Sequence, residues 1–379
     1  LPKARQPFLP SLTSFHFAYI NVQNFASPLK LKRIIEIIRK FQLAFVIITE
    51  VSTLGSAQYK SDSFLVQTQG HTTTKGSGIG VVYNPKFIPY VRTTTFVSDR
   101  IVKLQLQSAA TPVHIFGVYI PHAGPQHDEL RPAVWNQLNE QIDQLPPASL
   151  LMIAGDFNVR LRNRDTDEHR VIGPHLFGRS PIQPADENRA SAIETCSTHD
   201  LCFLNTFKNP RPSQQITYRE HTATSHWQQP LPKDFDTLDH LLIRRQWMSA
   251  AKVVSRPDIA FPSDHYLQLA TVNVKLGAQR PQPRKPKLDL KAISDEAMLA
   301  FNEAISPSKQ LSFEAHRTIE LFNIPNTDEL HIYTDGSGTD PNKPTAKAGW
   351  GFAIFAKKDA PDPPLHAAYG PVYTRAHQA

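Results

Sequence analysis

Several polar side chains that could act together in catalysis stand at the ends of apolar segments of the sequence. The apolar run 150–154, typical of a strand buried on both faces, is followed directly by Gly-Asp-Phe-Asn at 155–158. Taken alone, these four residues indicate no more than a turn. Comparable residues recur along the chain, however, and the whole set is Asn21, Glu50, Tyr119, Asp156, Asn158, Asp239, Asp264 and His265.

Three members of this set are hard oxygen ligands. Asn21, Glu50 and Asp264 offer an amide and carboxylates, and Mg²⁺ binds through few protein carboxylates while keeping several of its waters. We therefore expect these three residues to form a Mg²⁺ site, at which Mn²⁺ is an alternative occupant.

Other members have the properties needed to activate a water and hold a phosphoryl group. Asp239 beside His265 would supply a carboxylate that orients and charges an imidazole. Asp156 would orient or deprotonate a water, and Asn158 would donate hydrogen bonds to a phosphoryl oxygen. Because the sequence has no Ser or Cys nucleophile motif and no Gly-rich nucleotide loop, the set favours phosphodiester hydrolysis without a small-molecule cofactor.

Apolar periodicity predicts the strands and helices that position these side chains. Strands and helices alternate only in part, which favours two packed sheets with flanking helices over a single doubly wound sheet. We predict helices at 29–43, 130–145 and 189–199, and strands at 15–22, 44–49, 76–83, 101–107, 113–120, 150–154, 201–207, 216–219, 238–243 and 266–274.

A long polar segment, 160–190, follows the central Gly-Asp-Phe-Asn motif. It contains Gly-Pro-His at 173–175 and Asp-Glu-Asn-Arg at 186–189. Because it is too long for a simple connector, we predict that it forms a functional surface loop.

Composition limits the classes of protein that the chain can belong to. Its 379 residues suggest two domains or one large domain with an appendage, and its formal net charge of +7 favours polyanionic partners. The only cysteines, Cys196 and Cys202, are predicted to be buried small hydrophobes rather than a disulfide framework or zinc cluster, which favours an intracellular setting. No apolar run of about 18 residues occurs, so we expect no transmembrane helix.

Six short motifs occur in a fixed order between residues 14 and 274. They are I-N-V at 20–22, I-T-E at 48–50, V-Y-I-P-H-A-G at 118–124, G-D-F-N at 155–158, L-D-H at 238–240 and S-D-H at 263–265. Their order and content resemble the signature of the endonuclease/exonuclease/phosphatase superfamily. The resemblance implies a four-layered α/β sandwich, with two packed mixed sheets flanked by helices, and Mg²⁺-dependent phosphoester cleavage.

The resemblance also implies a role for each matching residue. One departure is Thr49, where many members carry Gln before the metal-binding Glu, and it leaves the ligand itself in place. The implied roles are Asn21, Glu50 and Asp264 at the metal, Tyr119 and Asn158 on the phosphate, Asp156 on the attacking water, and Asp239 paired with His265, which contacts the scissile phosphate.

Two branches of the superfamily share features with the chain. The segment 118–124 resembles apurinic-site endonucleases. The segments 173–178 (G-P-H-L-F-G), 186–190 (D-E-N-R-A) and 201–207 (L-C-F-L-N-T-F) resemble the endonuclease of non-LTR retrotransposons. We favour the retrotransposon branch because these segments extend beyond the shared catalytic set.

The C-terminal segment carries a separate pattern. Residues 330–338 read L-H-I-Y-T-D-G-S-G and residues 348–355 read A-G-W-G-F-A-I-F, which would also suit a β-hairpin with a polar turn. The pattern resembles the first two strands of ribonuclease H, and Asp335 would then be the first of that fold's metal-binding carboxylates. Since that chemistry needs several carboxylates and no matching later ones follow, we predict an incomplete, inactive ribonuclease H-like α/β segment.

These features predict four consecutive regions of the chain. They are a flexible N-terminal segment at 1–13, the endonuclease/exonuclease/phosphatase-like domain at 14–275, a Pro-rich basic linker with two helices (288–305 and 312–322) at 276–329, and the partial ribonuclease H-like domain at 330–379. The two resemblances together suggest a mobile-element polyprotein, or a fragment or relic of one.

The sequence thus predicts a Mg²⁺-dependent DNA endonuclease of retrotransposon origin, acting inside the cell and in the nucleus. DNA is the expected partner, an RNA/DNA hybrid would require a completed tail, and no membrane partner is expected. A phosphatase or phosphodiesterase acting on a small, sugar or lipid phosphate remains an alternative, as does a catalytically silent nucleic-acid-binding relic.

Overall fold

The chain forms two compact units, Leu1–Pro281 and Gln282–Ala379. The computed structural model describes residues 12–73, 76–108, 111–182, 187–208 and 211–277, together with three strands of the second unit. The flexible segment predicted at 1–13 lies outside the described residues except for its last two, and the helices predicted at 288–305 and 312–322 lie wholly outside them.

A seven-stranded mixed sheet forms one half of the first unit. Its strand order is β14-β15-β1-β2-β5-β4-β3, and the neighbours β1 and β2 are parallel. The strands are β1 (Leu12–Asn21), β2 (Phe45–Thr49), β3 (Ser56–Ser61), β4 (Phe64–Gln69), β5 (Ile79–Tyr83), β14 (Ala251–Arg256) and β15 (Leu267–Leu276).

A six-stranded mixed sheet forms the other half. Its order is β10-β13-β9-β8-β7-β6, and β8 runs parallel to β9. The strands are β6 (Val91–Phe96), β7 (Ile101–Leu106), β8 (Val113–Tyr119), β9 (Leu150–Asp156), β10 (Leu201–Phe203) and β13 (Asp239–Arg244); β11 (Tyr218–Arg219) pairs with β12 (Phe235–Asp236) outside both sheets.

The two sheets pack face to face, and helices cover their outer faces. Between the sheets, side chains such as Phe17 and Phe45 of the first sheet share one buried cluster with Ile115 and Met152 of the second. The helices are α1 (Pro28–Phe41) over the first sheet, α2 (Leu130–Asp143) and α3 (Glu187–Thr198) over the second, and the short α4 (Leu204–Lys208). The predicted four-layered α/β sandwich is thereby confirmed.

Helix α1 illustrates how the sequence determines one layer. Pro28 occupies its first turn, where the missing N–H leaves no helical hydrogen bond unmade. Ile34 and Ile38 lie on the same face and are buried against the first sheet. Burying each such side chain contributes about 1.5–3 kcal/mol, and the left-handed residue Gln42 then ends the helix.

The central strand β9 continues through the glycine that the sequence suggests as its end. Asp156, not Ala154, is its last residue. A Cβ atom at Gly155 would lie 2.1 Å from the carbonyl oxygen of Val118 on the parallel neighbour β8. Gly155 is therefore required by the close approach of two strands rather than by a turn.

The sequence-based prediction is wrong at one other strand and misses several. The predicted strand 201–207 ends at Phe203, and Leu204–Lys208 is helical. In the first unit, the strands β3, β4, β6, β12 and β14 were not predicted. Strands β4 and β14 are half-buried, β6 has only exposed and partly exposed residues, and β3 is almost wholly exposed.

The second unit contains an antiparallel sheet of three described strands. They are β16 (His331–Gly338), β17 (Ala348–Phe355) and β18 (His366–Val372), in that order. The backbone of Asp335 lies opposite that of Gly351. The assignment of this sheet to a ribonuclease H-like fold stays a prediction.

None of the described helices is long and apolar enough to cross a membrane.

Candidate active site

Three of the predicted residues stand side by side across the second sheet. Asp156 ends β9, Tyr119 occupies the matching position of the parallel strand β8, and Asp239 lies opposite Asp156 on the antiparallel strand β13. Strand register alone therefore presents these side chains at one edge of the sheet, although they are up to 120 positions apart in sequence.

The first sheet presents Asn21 and Glu50 to the same place. Asn21 ends β1 opposite Thr49 on β2, and Glu50 follows in the left-handed region with φ of 54°. The Asn21 side-chain nitrogen donates to Glu50 Oε1 at 2.9 Å and to Asp156 Oδ2 at 3.0 Å. Asn21 therefore joins the polar edges of the two sheets.

His265 is held in the centre of this group. Its Nδ1 donates to Asp239 Oδ2 at 2.8 Å, while its Nε2 lies 3.8 Å from both Asp156 Oδ2 and Asp264 Oδ1. Burial by itself would lower the pKa of His265, but the charges of Asp239, Asp156 and Asp264 outweigh burial and raise it to about 10. The imidazole is consequently a charged donor at neutral pH.

Asp156 is almost completely buried and fully oriented. Its Oδ1 accepts from the backbone N–H of Asn158 at 2.9 Å, and its Oδ2 accepts from Asn21. Burial raises the pKa of Asp156 to about 7, an effect that the charge of His265 opposes and those of Asp239 and Glu50 enhance. A carboxylate with that pKa is suited to accept a proton near neutral pH.

Tyr119 and Asn158 flank Asp156. The Tyr119 hydroxyl hydrogen-bonds to Glu50, and burial raises the pKa of Tyr119 far above its ordinary value, so that the phenol stays protonated. Asn158 has a φ of 48° and donates one Nδ2 hydrogen to the carbonyl of Ile120 at 2.8 Å. Since an amide nitrogen carries two hydrogens, one stays available for a substrate oxygen.

The donor set fits a divalent cation. Asp264 Oδ1 and Asp239 Oδ1 are both inaccessible to solvent and have no hydrogen-bond partner among the described residues. A buried, unpartnered carboxylate oxygen is costly, and a bound cation would remove that cost. A tight group of Asp156, Asp239 and His265, with ligand atoms within 4.8 Å of one another, lies beside Asp264.

All eight residues predicted for the first domain therefore lie in one group. Asp335, the candidate of the second unit, is separate from them in sequence and in unit, and only its backbone is described.

Sequence reasoning missed several residues of this group. Gln23 donates to Asp264 Oδ2 at 2.7 Å, and Ser263 Oγ donates to the carbonyl of Asn21. Thr217 Oγ1 accepts from the backbone N–H of Asp239. Ser263 belongs to the S-D-H motif, and Gln23 directly follows the I-N-V motif. Thr217 lies outside all six motifs.

Lys30 is a further neighbour of the site that the sequence did not indicate. Its pKa is lowered by burial, while the charges of Asp264 and Glu50 act in the opposite direction. Its ammonium donates to the carbonyls of Val22 and Gln23 at 2.5 and 2.9 Å.

The segments that resemble retrotransposon endonucleases serve to hold loops in place. Thr206 Oγ1 accepts from Gly173 N at 2.7 Å, and a Cβ at Gly173 would lie 2.4 Å from the carbonyl oxygen of Thr206. Asn205 hydrogen-bonds to His240, which follows Asp239 in the L-D-H motif. These residues therefore support the site from outside it.

Comparison with known proteins agrees with this geometry. Residues 18–265 match the model of the Endonuclease/Exonuclease/phosphatase family. A search of curated protein sequences found no match.

Solved structures show the same fold at low sequence identity. An AP endonuclease from Leishmania major superposes with a TM-score of 0.52 at 11% identity, covering 69% of this chain and 88% of its own. An AP endonuclease from Archaeoglobus fulgidus superposes with a TM-score of 0.51 at 12% identity, covering 69% of this chain and 100% of its own. The 3′ phosphatase NExo from Neisseria, bound to a product DNA hairpin, superposes with a TM-score of 0.50 at 15% identity, covering 68% of this chain and 98% of its own.

Because the family model spans well over half of the chain, and the two-sheet sandwich brings the family's motifs into one site, the chain belongs to the endonuclease/exonuclease/phosphatase family.

Proposed function

We propose that the chain is a Mg²⁺-dependent endonuclease that hydrolyses phosphodiester bonds of DNA with water as the nucleophile. The observation that carries this proposal is the meeting of Asp156, Asp239 and His265 at the junction of the two sheets. A water activator, a charged donor and its orienting carboxylate are the groups that phosphodiester hydrolysis needs.

The metal would be held by Asn21, Glu50 and Asp264. When bound, Mg²⁺ supplies positive charge that stabilises the developing charge on the phosphoryl group. The unpartnered Asp264 Oδ1 supports this assignment. By contrast, His265 and Asp239 already bond to each other at 2.8 Å.

Asp156 would orient the attacking water and take its proton. Asn21 and the backbone N–H of Asn158 fix the two carboxylate oxygens, so the base does not have to be positioned during the reaction. His265, Tyr119 and the remaining Asn158 amide hydrogen would donate to the oxygens of the scissile phosphate.

Three observations support DNA as the substrate. The chain has a net charge of +7, and Arg160, Arg162 and Arg164 follow Asn158 closely in sequence. The fold neighbours include two AP endonucleases and an enzyme bound to product DNA. The segments at 173–178 and 201–207 add support for an origin in a non-LTR retrotransposon.

The test is nicking of supercoiled plasmid DNA by the purified full chain. We expect relaxed circles with Mg²⁺, none with a chelator, and a loss of at least about 10²-fold with Asp156→Ala. Absence of Mg²⁺-dependent nicking by the wild type, or equal nicking by Asp156→Ala, would overturn the proposal.

Parallel assays separate the alternatives. Mg²⁺-dependent release of phosphate from a small or lipid phosphomonoester, without nicking, would indicate a phosphatase. DNA binding without either reaction would indicate a silent relic.

An intracellular, nuclear location is a further proposal that follows from a DNA substrate. Imaging the tagged full chain in cells tests it, and an exclusively extranuclear signal would contradict it.

A further inference from the structure

The loop after β1 has an unusual backbone at its second and third residues. Gln23 and Asn24 both lie in the left-handed region, with φ of 43° and 77°. Residues other than glycine adopt this backbone region at a cost in free energy, so surrounding contacts must hold the loop there. The loop is short, because α1 begins at Pro28.

One result of this backbone is that the Gln23 side chain reaches Asp264, 241 residues later in sequence. Gln23 Nε2 donates to Asp264 Oδ2 at 2.7 Å, and the backbone N–H of Asp264 points to Gln23 Oε1 at 3.4 Å. A primary amide that donates to the carboxylate and accepts from the same residue's backbone fixes the rotation of that carboxylate. The other oxygen, Oδ1, is thereby left buried and without a hydrogen-bond partner.

Besides backbone hydrogen bonds such as that from the N–H of Asn24 to the carbonyl of Glu50 at 2.7 Å, the side chains of Asn21 and Lys30 hold the loop that carries Gln23. The backbone N–H of Gln23 donates to the side-chain oxygen of Asn21 at 3.1 Å. From the first turn of α1, Lys30 Nζ donates to the carbonyls of Val22 and Gln23. Hydrogen bonds from a charged donor are stronger than neutral ones, so Lys30 is the stronger of the two side-chain restraints.

We propose that Gln23 is a positioning residue for the metal ligand Asp264, and that Lys30 acts through Gln23 by holding its loop. The inference rests on the proposed function for the assignment of Asp264 to a metal site. It adds a physical reason why Asp264 presents one oxygen to that site rather than rotating toward solvent.

The test for Gln23 is the Gln23→Leu variant of the full chain, which keeps the side chain's size but removes both amide contacts. Mn²⁺ binding measured by calorimetry should weaken about tenfold, as expected for loss of a hydrogen bond to a charged group. The Mg²⁺ concentration for half-maximal nicking should rise similarly, while the rate at saturating Mg²⁺ stays within about threefold.

A matched control is Gln58→Leu. Gln58 is exposed on the edge strand β3, where it accepts a hydrogen bond from Gln67. This variant loses a comparable amide contact far from β1 in the sheet order, so Mn²⁺ binding should not change.

Lys30→Met gives a test whose sign separates positioning from charge. Removal of a positive charge near Asp264 and Glu50 would, by electrostatics alone, strengthen cation binding. Loss of the restraint on Gln23 would weaken it instead. We expect Lys30→Met to bind Mn²⁺ more weakly than Lys32→Met, a control that removes an exposed charge from the same helix.

The outcomes distinguish this inference from the proposed function. Equal Mn²⁺ binding by wild type and Gln23→Leu, or no Mn²⁺ binding by the wild type, overturns the positioning role whether or not DNA is nicked. Tighter Mn²⁺ binding by Lys30→Met than by the wild type overturns the role proposed for Lys30. Weaker Mn²⁺ binding by Gln23→Leu supports the positioning role even if the wild type fails to nick DNA.

Discussion

Two buried clusters of charged side chains in the described part of the first unit differ in how completely their atoms are paired. One is the site cluster of Asp156, Asp239 and His265, in which all three side chains are at most 6% exposed. The other joins Glu168 and Arg189, whose side chains are 9% and 8% exposed.

Every hydrogen-bonding nitrogen of Arg189 has a protein partner. Its Nη1 and Nη2 bond the two oxygens of Glu168 at 2.8 and 2.6 Å, and its Nε and Nη2 also donate to the carbonyls of Leu161 and Asn163. Glu168 in turn accepts from the backbone N–H of Asp165, which begins a short 3-10 helix. This cluster is closed, and it fixes residues 161–168, the first part of the polar segment that the sequence predicts to be a functional loop.

The site cluster is open by comparison. Asp239 Oδ1 and the neighbouring Asp264 Oδ1 are buried without a hydrogen-bond partner among the described residues. Burial raises the pKa of Asp156, and repulsion from Asp239 and Glu50 adds to that effect, because carboxylates outnumber the single imidazole. A closed ionic cluster resists disruption, because removal of one partner leaves an uncompensated buried charge, whereas an open cluster is available to bind a cation and substrate.

The largest expected effect that distinguishes the clusters is that of Asp156→Asn. We expect nicking to fall by at least about 10²-fold, because the water activator is lost. The pKa of Asp156 is raised from 3.8 to about 7, so the stability present below pH 3.8 is lost as pH rises through 7. The neutral isostere avoids this loss and should increase the free energy of unfolding at pH 8 by about 1–3 kcal/mol. Urea unfolding at pH 8 measures this, and lower stability would contradict the open-cluster description.

The opposite result is expected in the closed cluster. Arg189→Met leaves Glu168 buried without its partner and should lower the free energy of unfolding by about 3–5 kcal/mol. Arg170→Met is the matched control, because Arg170 pairs with Asp200 at the surface of the same segment and such pairs contribute about 0–1 kcal/mol. Similar losses for the two variants in urea unfolding would show that the buried pair is not a structural restraint.

A smaller effect should come from adding metal. Mg²⁺ at about 100 times its dissociation constant should raise the free energy of unfolding by about 2.7 kcal/mol, because it binds only the folded chain. Asp264→Asn should lose most of this increment, whereas Arg189→Met should keep it, since the closed cluster has no vacant oxygen. Thermal unfolding with Mg²⁺ and with chelator gives the comparison, and an equal increment in Asp264→Asn would place the metal elsewhere.

The sequence predicted the buried parts of the fold more closely than the rest. Strands such as β2 and β8 are buried along their whole length, so they appear in sequence as nearly continuous apolar runs, with His114 the polar interruption in β8. Strands β4 and β14 are half-exposed and mix polar with apolar residues, and β3 is almost wholly exposed. Their apolar signal is correspondingly weak.

The same difference applies to the site. Asn21, Asp156 and their partners could be identified from their residue types and their places at predicted strand ends. Strand register then brings these strand ends together in the fold. Gln23 and Lys30 were missed because their roles depend on a left-handed loop and on contacts with backbone or distant residues. No local pattern in the sequence specifies such contacts.

His114 tests whether an unpartnered buried atom is by itself a sign of function. It lies on β8, five residues before Tyr119, and is 5% exposed, and its Nδ1 has no hydrogen-bond partner among the described residues. Burial lowers the pKa of His114 to about 4, and the charges of Lys103 and Arg244 add to that effect. Unlike the site carboxylates, His114 has only basic neighbours among the groups that shift its pKa, so we infer no ligand there.

The smallest expected effect follows from this lowered pKa. The unfolded chain takes up a proton on His114 near pH 6.5, whereas the folded chain does so only near pH 4, so stability is present above pH 6.5 and is lost as pH falls toward 4. Because Lys103 and Arg244 are partly screened by water, we expect about 1 kcal/mol of the full linkage to be realised. In His114→Gln, the unfolding free energy measured between pH 6.5 and pH 4 should therefore decline less steeply than in the wild type, with nicking at neutral pH unchanged. A large loss of nicking in His114→Gln would instead show that an unpartnered buried group outside the open cluster contributes to the reaction. Unpaired buried atoms would then not be enough to distinguish the open cluster from the closed one.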